Sequence, residues 1–289
     1  MKLIEPKVEL FSELNISPKS HIARCSRTCY GKEYKEPNQE ADEKMVDGLI
    51  KRGHLSMLRH ASMYISDLQY ASRYLQSHIN HSPYWNYNIG LGYASTNFQE
   101  YMQQEIENES VIGVSNSKFL EECAKNPKLF KLYRMTFCIT TQISTSRELN
   151  RKSPNAIAER STRYCSSKND LLICRPWWFN KTAEDMSALD ITKLPTKEKI
   201  FVMAWKDAEE YYNKAIENGM KPEDTRGILP LDTATKVIYT YSIREWQHIL
   251  DLRYYGTTGK PHPNAKLIAG KIRDEINKFS IEHGINYKV

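Results

Sequence analysis

A strand-like run, Tyr133-Arg134-Met135-Thr136-Phe137-Cys138-Ile139-Thr140, leads almost directly into a markedly polar stretch. Its apolar and β-branched residues alternate with a period of two, the pattern of a strand. Ser144–Arg151 then reads as a helix. Ser153-Pro154-Asn155 ends it, because proline disfavours helix at the residue before it and has no N–H to give to the preceding turn. Beyond this stop come Glu159-Arg160-Ser161-Thr162-Arg163-Tyr164. A strand therefore hands the chain to a short helix and a loop that carry Arg147, Arg151, Lys152, Arg160 and Arg163 between them. Such a cluster can bind an anion with side chains and backbone N–H groups together.

The flanking segments predict an α/β chain. Val8–Phe11 reads as a strand and is followed by a helix into Cys25. Residues 38–52 carry Met45, Leu49 and Ile50 at helical spacing, and Gly53 stops them. Ala61–Ser66 alternates as a strand. Helices are expected at 69–78, 94–108 and 117–125, with a loop over 79–93. Leu171–Cys174 reads as a short buried strand. A long amphipathic helix is expected from Thr196 to Asn218, capped by Gly219, and a short one from Pro222 to Arg226. Thr235–Tyr241 is strand-like, Ile243–Arg253 helical, and 260–279 forms the last helix. No composition shift marks a boundary in the 289 residues, so one interwoven α/β domain is expected.

Hydrophobic content of 40% and charged content of 26% are ordinary for a soluble globular protein. No apolar run approaches the ~20 residues a membrane helix needs, and residues 1–7 lack a signal-peptide pattern, so no membrane association and a cytoplasmic location are expected. Cysteines at 25, 29, 123, 138, 165 and 174 have neither metal-ligand nor disulfide-framework spacing and read as reduced thiols. The net charge of +6 suits an anionic ligand without demanding a stable nucleic-acid partner. Tyr84, Trp85, Tyr87 and Tyr93 read as core or interface aromatics rather than a base-stacking platform.

Three groups of residues could carry chemistry. Arg226 precedes a turn, while Arg244 and Arg253 fall on one expected helix at a spacing that faces them to different sides. Ser161-Thr162-Arg163 suits a phosphate, with Arg163 as a forked donor. The same serine and threonine serve equally as helix caps, the reading that the pattern alone favours. His54 and His60 flank Ser56, but their spacing is wrong for one helix face, so no metal site is expected. A glycine-rich dinucleotide fingerprint, a P-loop and a nucleophile elbow are all missing from the sequence.

Taken in order, these blocks resemble flavin-dependent thymidylate synthases. Ala23-Arg24-Cys25-Ser26-Arg27-Thr28-Cys29-Tyr30-Gly31-Lys32 is similar to that family's Ala-Arg-Val-Ser-Tyr-Gly region. Gly53-His54-Leu55-Ser56-Met57-Leu58-Arg59-His60-Ala61-Ser62 is similar to its Gly-His-x-Ser-x-x-Glu-His-Ala-x block. The segment from Arg151 to Tyr164 resembles its Arg-His-Arg, seven residues, Ser-x-Arg-Tyr signature. Arg226-Gly227-Ile228-Leu229-Pro230 and Trp246–Arg253 resemble its Arg-x-x-Leu-Pro turn and its closing Leu-Arg helix. The chain departs from the pattern at Lys152 and Ser153, which replace the histidine and second arginine, and at Arg59, which replaces the glutamate. Lys152 is a point donor where the family has a planar ring, and Ser153 keeps neither charge nor reach.

The resemblance implies an α/β fold: a single interwoven domain over 1–289, with a mixed or antiparallel sheet, long helices and an extended helical insertion at about 67–131. It implies a dUMP site at Glu148, Arg151, Glu159, Ser161, Thr162, Arg163, Arg226 and Arg253, with Arg253 catalytic. It implies FAD contacts at His54, Ser56, Arg151, Lys152, Ser153, Glu159, Ser242, Arg244 and His248. The implied reaction is reductive methylation of dUMP to dTMP, with carbon from methylenetetrahydrofolate and hydride from FAD reduced by NADPH, in a homotetramer. Two alternatives go with the departures: a related flavoenzyme modifying another pyrimidine nucleotide, and a non-catalytic nucleotide-binding homologue.

Overall fold

A computed structural model describes residues 1–32, 34, 36–106, 110–163, 166–168, 171–182 and 189–289. In chain order the strands are β1 (Lys2–Ile4), β2 (Lys7–Leu10), β3 (Ser62–Ser66), β4 (Asn86–Asn88), β5 (Tyr93–Asn97), β6 (Ile112–Val114), β7 (Arg134–Gln142), β8 (Ile157–Glu159), β9 (Leu172–Cys174) and β10 (Ala234–Ser242). The helices are α1 (Pro18–Cys29), α2 (Gln39–Lys51), α3 (Arg73–His81), α4 (Phe98–Gln103), α5 (Asn116–Lys125), α6 (Ile143–Leu149), α7 (Thr196–Glu217), α8 (Pro222–Thr225), α9 (Ile243–Leu250) and α10 (Pro263–Glu282). The fold is mixed α/β, as the sequence implied.

Strands β7 and β10 pair antiparallel from end to end, with Ala234 opposite Gln142 and Ser242 opposite Arg134. With β2 and β8 on the outside they form the central sheet β2-β7-β10-β8. Alternate side chains point to opposite faces. On one face Phe137, Ile139, Val237 and Tyr239 join Leu149, Trp246, Ile249, Ile268, Ile272 and Ile276 in the main core. On the other, Cys138, Ala158 and Ile238 meet Cys25 of α1. Helices thus cover both faces, which is why β7 is buried along its whole length and reads as a near-continuous run of apolar residues and threonines.

The two central strands feed two helices from opposite ends of the pair. α6 leaves the end of β7, and α9 leaves the end of β10, where the Ser242–Glu245 capping box fixes its start. Both pack into the main core. Trp246 of α9 is wholly buried and meets Phe137 and Tyr241 edge-on, each at 5.2 Å between ring centroids. Its indole N–H donates to the Met135 carbonyl at 3.1 Å.

Residues 67–131 carry α3, α4 and α5 but also β4, β5 and β6, which with β3 make a second antiparallel sheet, β4-β5-β3-β6. The helix expected over 94–108 begins only at Phe98. Tyr93–Asn97 is a strand because it pairs with β3 on one side and β4 on the other, and this tertiary pairing overrides local propensity. Residues 107–109 lie outside the described residues. Tyr64 stacks on Phe119 at 4.2 Å and on Tyr133 at 5.9 Å, which joins this layer to the main core. A parallel pair, β1 with β9, supports α7 through Leu3, Ile173, Phe179, Val202 and Trp205. Among the described residues no helix is long and apolar enough to cross a membrane.

A belt of polar side chains crosses the buried space beside the central sheet. The Thr136 and Thr240 hydroxyls lie 2.8 Å apart; His21 reaches Thr136 at 3.1 Å and His60 reaches Thr240 at 2.9 Å. The Glu13 carboxylate accepts from the Ser62 N–H at 2.8 Å and hydroxyl at 2.7 Å. Burial pushes Glu13 up to about 7, against the lowering pull of Ser62 and Arg134. Burial likewise pushes His21 and His60 down to about 3, so both are neutral imidazoles.

Two outcomes follow from this packing. Trp246→Ala empties the aromatic centre and should cost ~3–5 kcal/mol in denaturant unfolding, with Trp246→Phe costing clearly less. Glu13 holds its proton more tightly folded than unfolded, so its contribution is present below the unfolded value of 4.5 and lost as pH rises through about 7. The stability of the native chain relative to Glu13→Gln should therefore fall by up to roughly 3 kcal/mol between about pH 4.5 and pH 8. Urea titrations across that range read the difference, and a flat difference contradicts the assignment.

Candidate functional site

The arginine-rich segment folds back on itself because β8 returns beside β10, with Glu159 opposite Val237. Ser146 on α6 then donates its hydroxyl to the Glu159 carboxylate at 2.9 Å. Tyr239 holds the same turn of α6 by donating to the Ser146 carbonyl at 2.8 Å. The loop after β8 is pinned by its backbone. Arg160 N–H donates to the Lys236 carbonyl at 2.8 Å, and Ser161 N–H to the Cys29 carbonyl at the end of α1 at 2.9 Å. Arg163 N–H closes a serine turn on the Ser161 hydroxyl at 3.2 Å. Its guanidinium reaches Glu223 of α8 at 3.2 Å, just before the chain turns through Arg226.

Between these elements lies a cavity of about 630 Å³. Arg147, Arg160, Arg163 and Arg226 line it together with one carboxylate, Glu159, and the hydroxyl residues Ser161 and Thr162. Ile143, Leu229 and Pro230 supply its apolar wall. Arg147, Arg163 and Arg226 are exposed, with Arg163 paired to Glu223. Four forked cations against the lining carboxylate Glu159 and Glu223, which pairs with Arg163, still leave an excess of positive charge that favours an anion, and the apolar wall favours one attached to a less polar body.

A second group collects at the C-terminal end of α6. Arg151 donates to the carbonyls of Arg147 at 3.2 Å and Asn150 at 3.0 Å, and Arg253 Nε donates to the Glu148 carbonyl at 2.7 Å. Both cations thus satisfy carbonyls at the negative end of a helix. Arg253 sits in a π-helical turn, Asp251–Tyr255, that continues α9 and is closed by Gly256 at φ 73°. Its pKa is lowered, by burial first and by the neighbouring Arg151 second, with Glu148 acting in the other direction. Successive helix residues diverge by about 100°, so Glu148 does not share the cavity face of Arg147.

The structure keeps the remaining candidates away from that cavity. His54 and Ser56 are exposed at the start of a 3-10 turn, Leu55–His60. Arg244 and His248 are exposed and one turn apart on α9. Ser153 is exposed, while Lys152 lies 3.4 Å from Glu245. Ser242 is wholly buried, and its hydroxyl is occupied by Glu245, to which it donates at 3.0 Å and from whose N–H it accepts at 3.2 Å. Tyr164 lies outside the described residues.

Four residues were not singled out from the sequence. Arg147 and Arg160 stood inside the polar run but without a role, although one helical turn separates Arg147 from Arg151. Glu245 engages Ser242 and Lys152 and lies 3.8 Å from Arg134; its place three residues after a serine is the sequence mark of a capping box. Arg134 is 6% exposed, with Nη2 3.4 Å from the carbonyls of Arg59 and Thr240. A cation within a strand run gives no sequence sign of that burial. Arg59 bonds Gln99 at 2.9 Å and the Asn155 carbonyl at 3.1 Å, which ties α4 to the loop after Pro154. Among the described residues no His, Cys, Asp and Glu group could hold a metal ion.

Comparison with known proteins meets this geometry. The family model described as thymidylate synthase complementing protein matches residues 90–280, well over half of the chain. A flavin-dependent thymidylate synthase of Synechocystis sp. is 26% identical over 159 residues, which span 54% of this chain and 74% of that protein. A probable flavin-dependent thymidylate synthase of Paramecium bursaria Chlorella virus 1 is 38% identical over 66 residues, 23% of this chain and 29% of the relative. Among solved structures, a UMP/dUMP methylase, PolB, from Streptomyces cacaoi bound with 5-Br dUMP aligns over 98% of this chain and 95% of its own, at a TM-score of 0.44 and 15% identity. With the match covering both the polar run and the Arg226–Arg253 region, the chain belongs to the flavin-dependent thymidylate synthase family.

Proposed function

We propose that this protein methylates dUMP to dTMP as a flavin-dependent thymidylate synthase. The observation that carries the reading is the cavity of about 630 Å³ that joins Arg147, Glu159, Ser161, Thr162, Arg163 and Arg226 in a chain of this family. A nucleoside monophosphate has the matching parts: a doubly charged phosphate for the arginines and a flat ring for the apolar wall. Ser161 and Thr162 add hydroxyl donors, and Glu159, already oriented by Ser146, adds an acceptor for a sugar or base N–H or O–H.

The residues assigned to FAD are compatible with an anionic dinucleotide. His54, Ser56, Arg244 and His248 are exposed, and their side chains make no hydrogen bond among the described residues. With Arg151 and Lys152 they would hold the cofactor, while Ser242 stays committed to its cap and serves by fixing the start of α9. When bound, the flavin supplies the hydride chemistry, renewed by NADPH, and methylenetetrahydrofolate supplies the carbon. The chain's own part is electrostatic. Arg253 stabilises negative charge as it develops in the pyrimidine ring, and Glu148 and Arg151 orient it. The family resemblance implies a homotetramer, in which the exposed Arg151, Arg244 and His248 would face other copies of the chain.

Arg226→Ala should weaken dUMP binding at least tenfold, from the loss of one charge-assisted contact of about 1.5–3 kcal/mol, with an unchanged melting temperature. Calorimetric titration reads this, and an unchanged Kd removes Arg226 from the site. Arg253→Ala should lower turnover roughly 10²–10³-fold while folding stability moves by no more than about 1 kcal/mol. Purified protein should show a flavin band near ~450 nm. Protein that stays colourless after incubation with FAD contradicts the proposed reaction but not the nucleotide site.

A further inference from the structure

The last helix, α10, floors a second cavity, of about 660 Å³, that shares no lining residue with the arginine-lined one. The floor is the line Pro263, Leu267, Gly270 and Asp274. At about 100° per residue these four fall on one helical face, with Lys266 and Lys271 on opposite flanks of it. Ala265, Ile268, Ala269, Ile272 and Ile276 turn the other way into the core. Tyr254 forms one wall. Its ring lies so close to Gly270 that a Cβ there would stand 3.2 Å from the ring, so the glycine is what lets the tyrosine pack against the helix. Arg273 stacks on the same ring at 4.2 Å. The other wall is Trp177, 52% exposed, whose backbone N–H is anchored on the Asn264 side chain at 2.8 Å. Two flat aromatic faces thus border a concave space of small-molecule size, about 300–1,000 Å³.

The charges decide what such a space suits. Arg175 is neutralised by Glu5 at 2.7 Å, and Arg273 by Asp274 at 2.7 Å. Lys260, Lys266 and Lys271 make no ion pair among the described residues, which leaves three cations around one cavity. Lys260 stands ahead of the helix start at Pro263, and the other two stand on its flanks. A phosphate monoester brings about 1.5–2 negative charges to a single point, a poor match for three ammonium groups set apart in this way. A triphosphate strings three anionic groups in a row, with oxygens on every side. Lysines are point charges on flexible stems and can follow such a row, where forked arginines grip one phosphate. The other cavity, with Arg147, Arg160, Arg163 and Arg226, has the forked design. The two cavities therefore differ in the phosphate they select.

We propose that this cavity binds a nucleoside triphosphate, its base against Trp177 and Tyr254 and its phosphates among Lys260, Lys266 and Lys271. The ligand is not a reactant of the methylation proposed above, and the site stands on this geometry alone. The π-helical turn Asp251–Tyr255 joins it to the rest, since Tyr254 directly follows Arg253. A base held against Tyr254 restrains the turn from which Arg253 reaches the Glu148 carbonyl. The cavity is thus placed to regulate, and that consequence rests on the proposed role of Arg253.

The test uses the full chain and ATP, whose purine gives the aromatic walls a large face and is not the base of the proposed substrate. Equilibrium titrations at low salt compare ATP, AMP and inorganic tripolyphosphate, with and without saturating dUMP. ATP should bind roughly tenfold more tightly than AMP, from the added phosphate–lysine contacts, and dUMP should not displace it. Lys266→Glu with Lys271→Glu, both at exposed positions, should reduce that advantage to less than about twofold. Trp177→Ala should weaken ATP severalfold and leave tripolyphosphate unchanged. Bound ATP should slow amide exchange in Asp251–Tyr255. Equal affinity for ATP and AMP, an advantage that survives the charge reversal, tripolyphosphate binding as tightly as ATP, or unchanged exchange in that turn overturns the proposal. Displacement of ATP by dUMP, by NADPH or by pteroylmonoglutamate also overturns it, because the cavity would then belong to the reaction's own ligands. Failure of the native chain to bind dUMP while the ATP pattern holds counts against the proposed function and leaves the second site in place.

Discussion

The full-length antiparallel pairing of β7 with β10 is the constraint on which the rest depends. It sends α6 and α9 out from opposite ends of one strand pair and brings both back into the same core. The end of the α9 segment thereby meets the end of α6, where Arg253 donates to the Glu148 carbonyl. The same pair gives β8 its partner, and β8 carries Glu159 and the loop to Arg163 back toward α6. A one-residue slip in this pairing would turn every core side chain to the wrong face. Trp246, clasped by Phe137, Tyr239 and Tyr241 and tied to the Met135 carbonyl, favours the observed register.

The charged groups are arranged by how they are satisfied. Around the arginine-lined cavity Arg147, Arg163 and Arg226 stay exposed and Arg160 half-exposed, and they outnumber the carboxylates Glu159 and Glu223, so the net field is positive. Near the start of α9, by contrast, the buried Arg134 and the half-buried Lys152 both approach Glu245, and Glu245 also completes the cap on Ser242. A buried charge without a partner is costly, so this knot is a single unit, and loss of Glu245 would leave two cations uncompensated. It occupies the place where Lys152 and Ser153 depart from the family signature. Lys152, one of the two departing residues, is thus tied into this network through Glu245.

Much of this was legible in the sequence. The two long strands carried a strand-like pattern and α7 carried helical spacing, whereas the capping box of Ser242 with Glu245 was written in the sequence but not read from it. Short pieces were harder. β8 is three residues long, too brief for any period to show, yet it brings Glu159 to Ser146. β5 was read as the start of a helix because its neighbours in the sheet, β3 and β4, are remote or irregular in sequence. In the site, Arg163 and Arg226 were visible as isolated cations, and the resemblance placed them together. Arg147 gained its meaning only when β8 folded back and made the polar run into two walls of one cavity.

The central claim is that the loop of Glu159–Arg163 and the turn at Arg226 close on one nucleotide. Amide hydrogen exchange with and without dUMP tests it most directly, since it reads the backbone of each segment without altering a side chain. Slowed exchange on binding should appear in Glu159–Arg163 and in Gly227–Leu229 together. Protection confined to the stretch from Tyr254 to Asp274, or no change in either segment at saturating dUMP, would contradict the account.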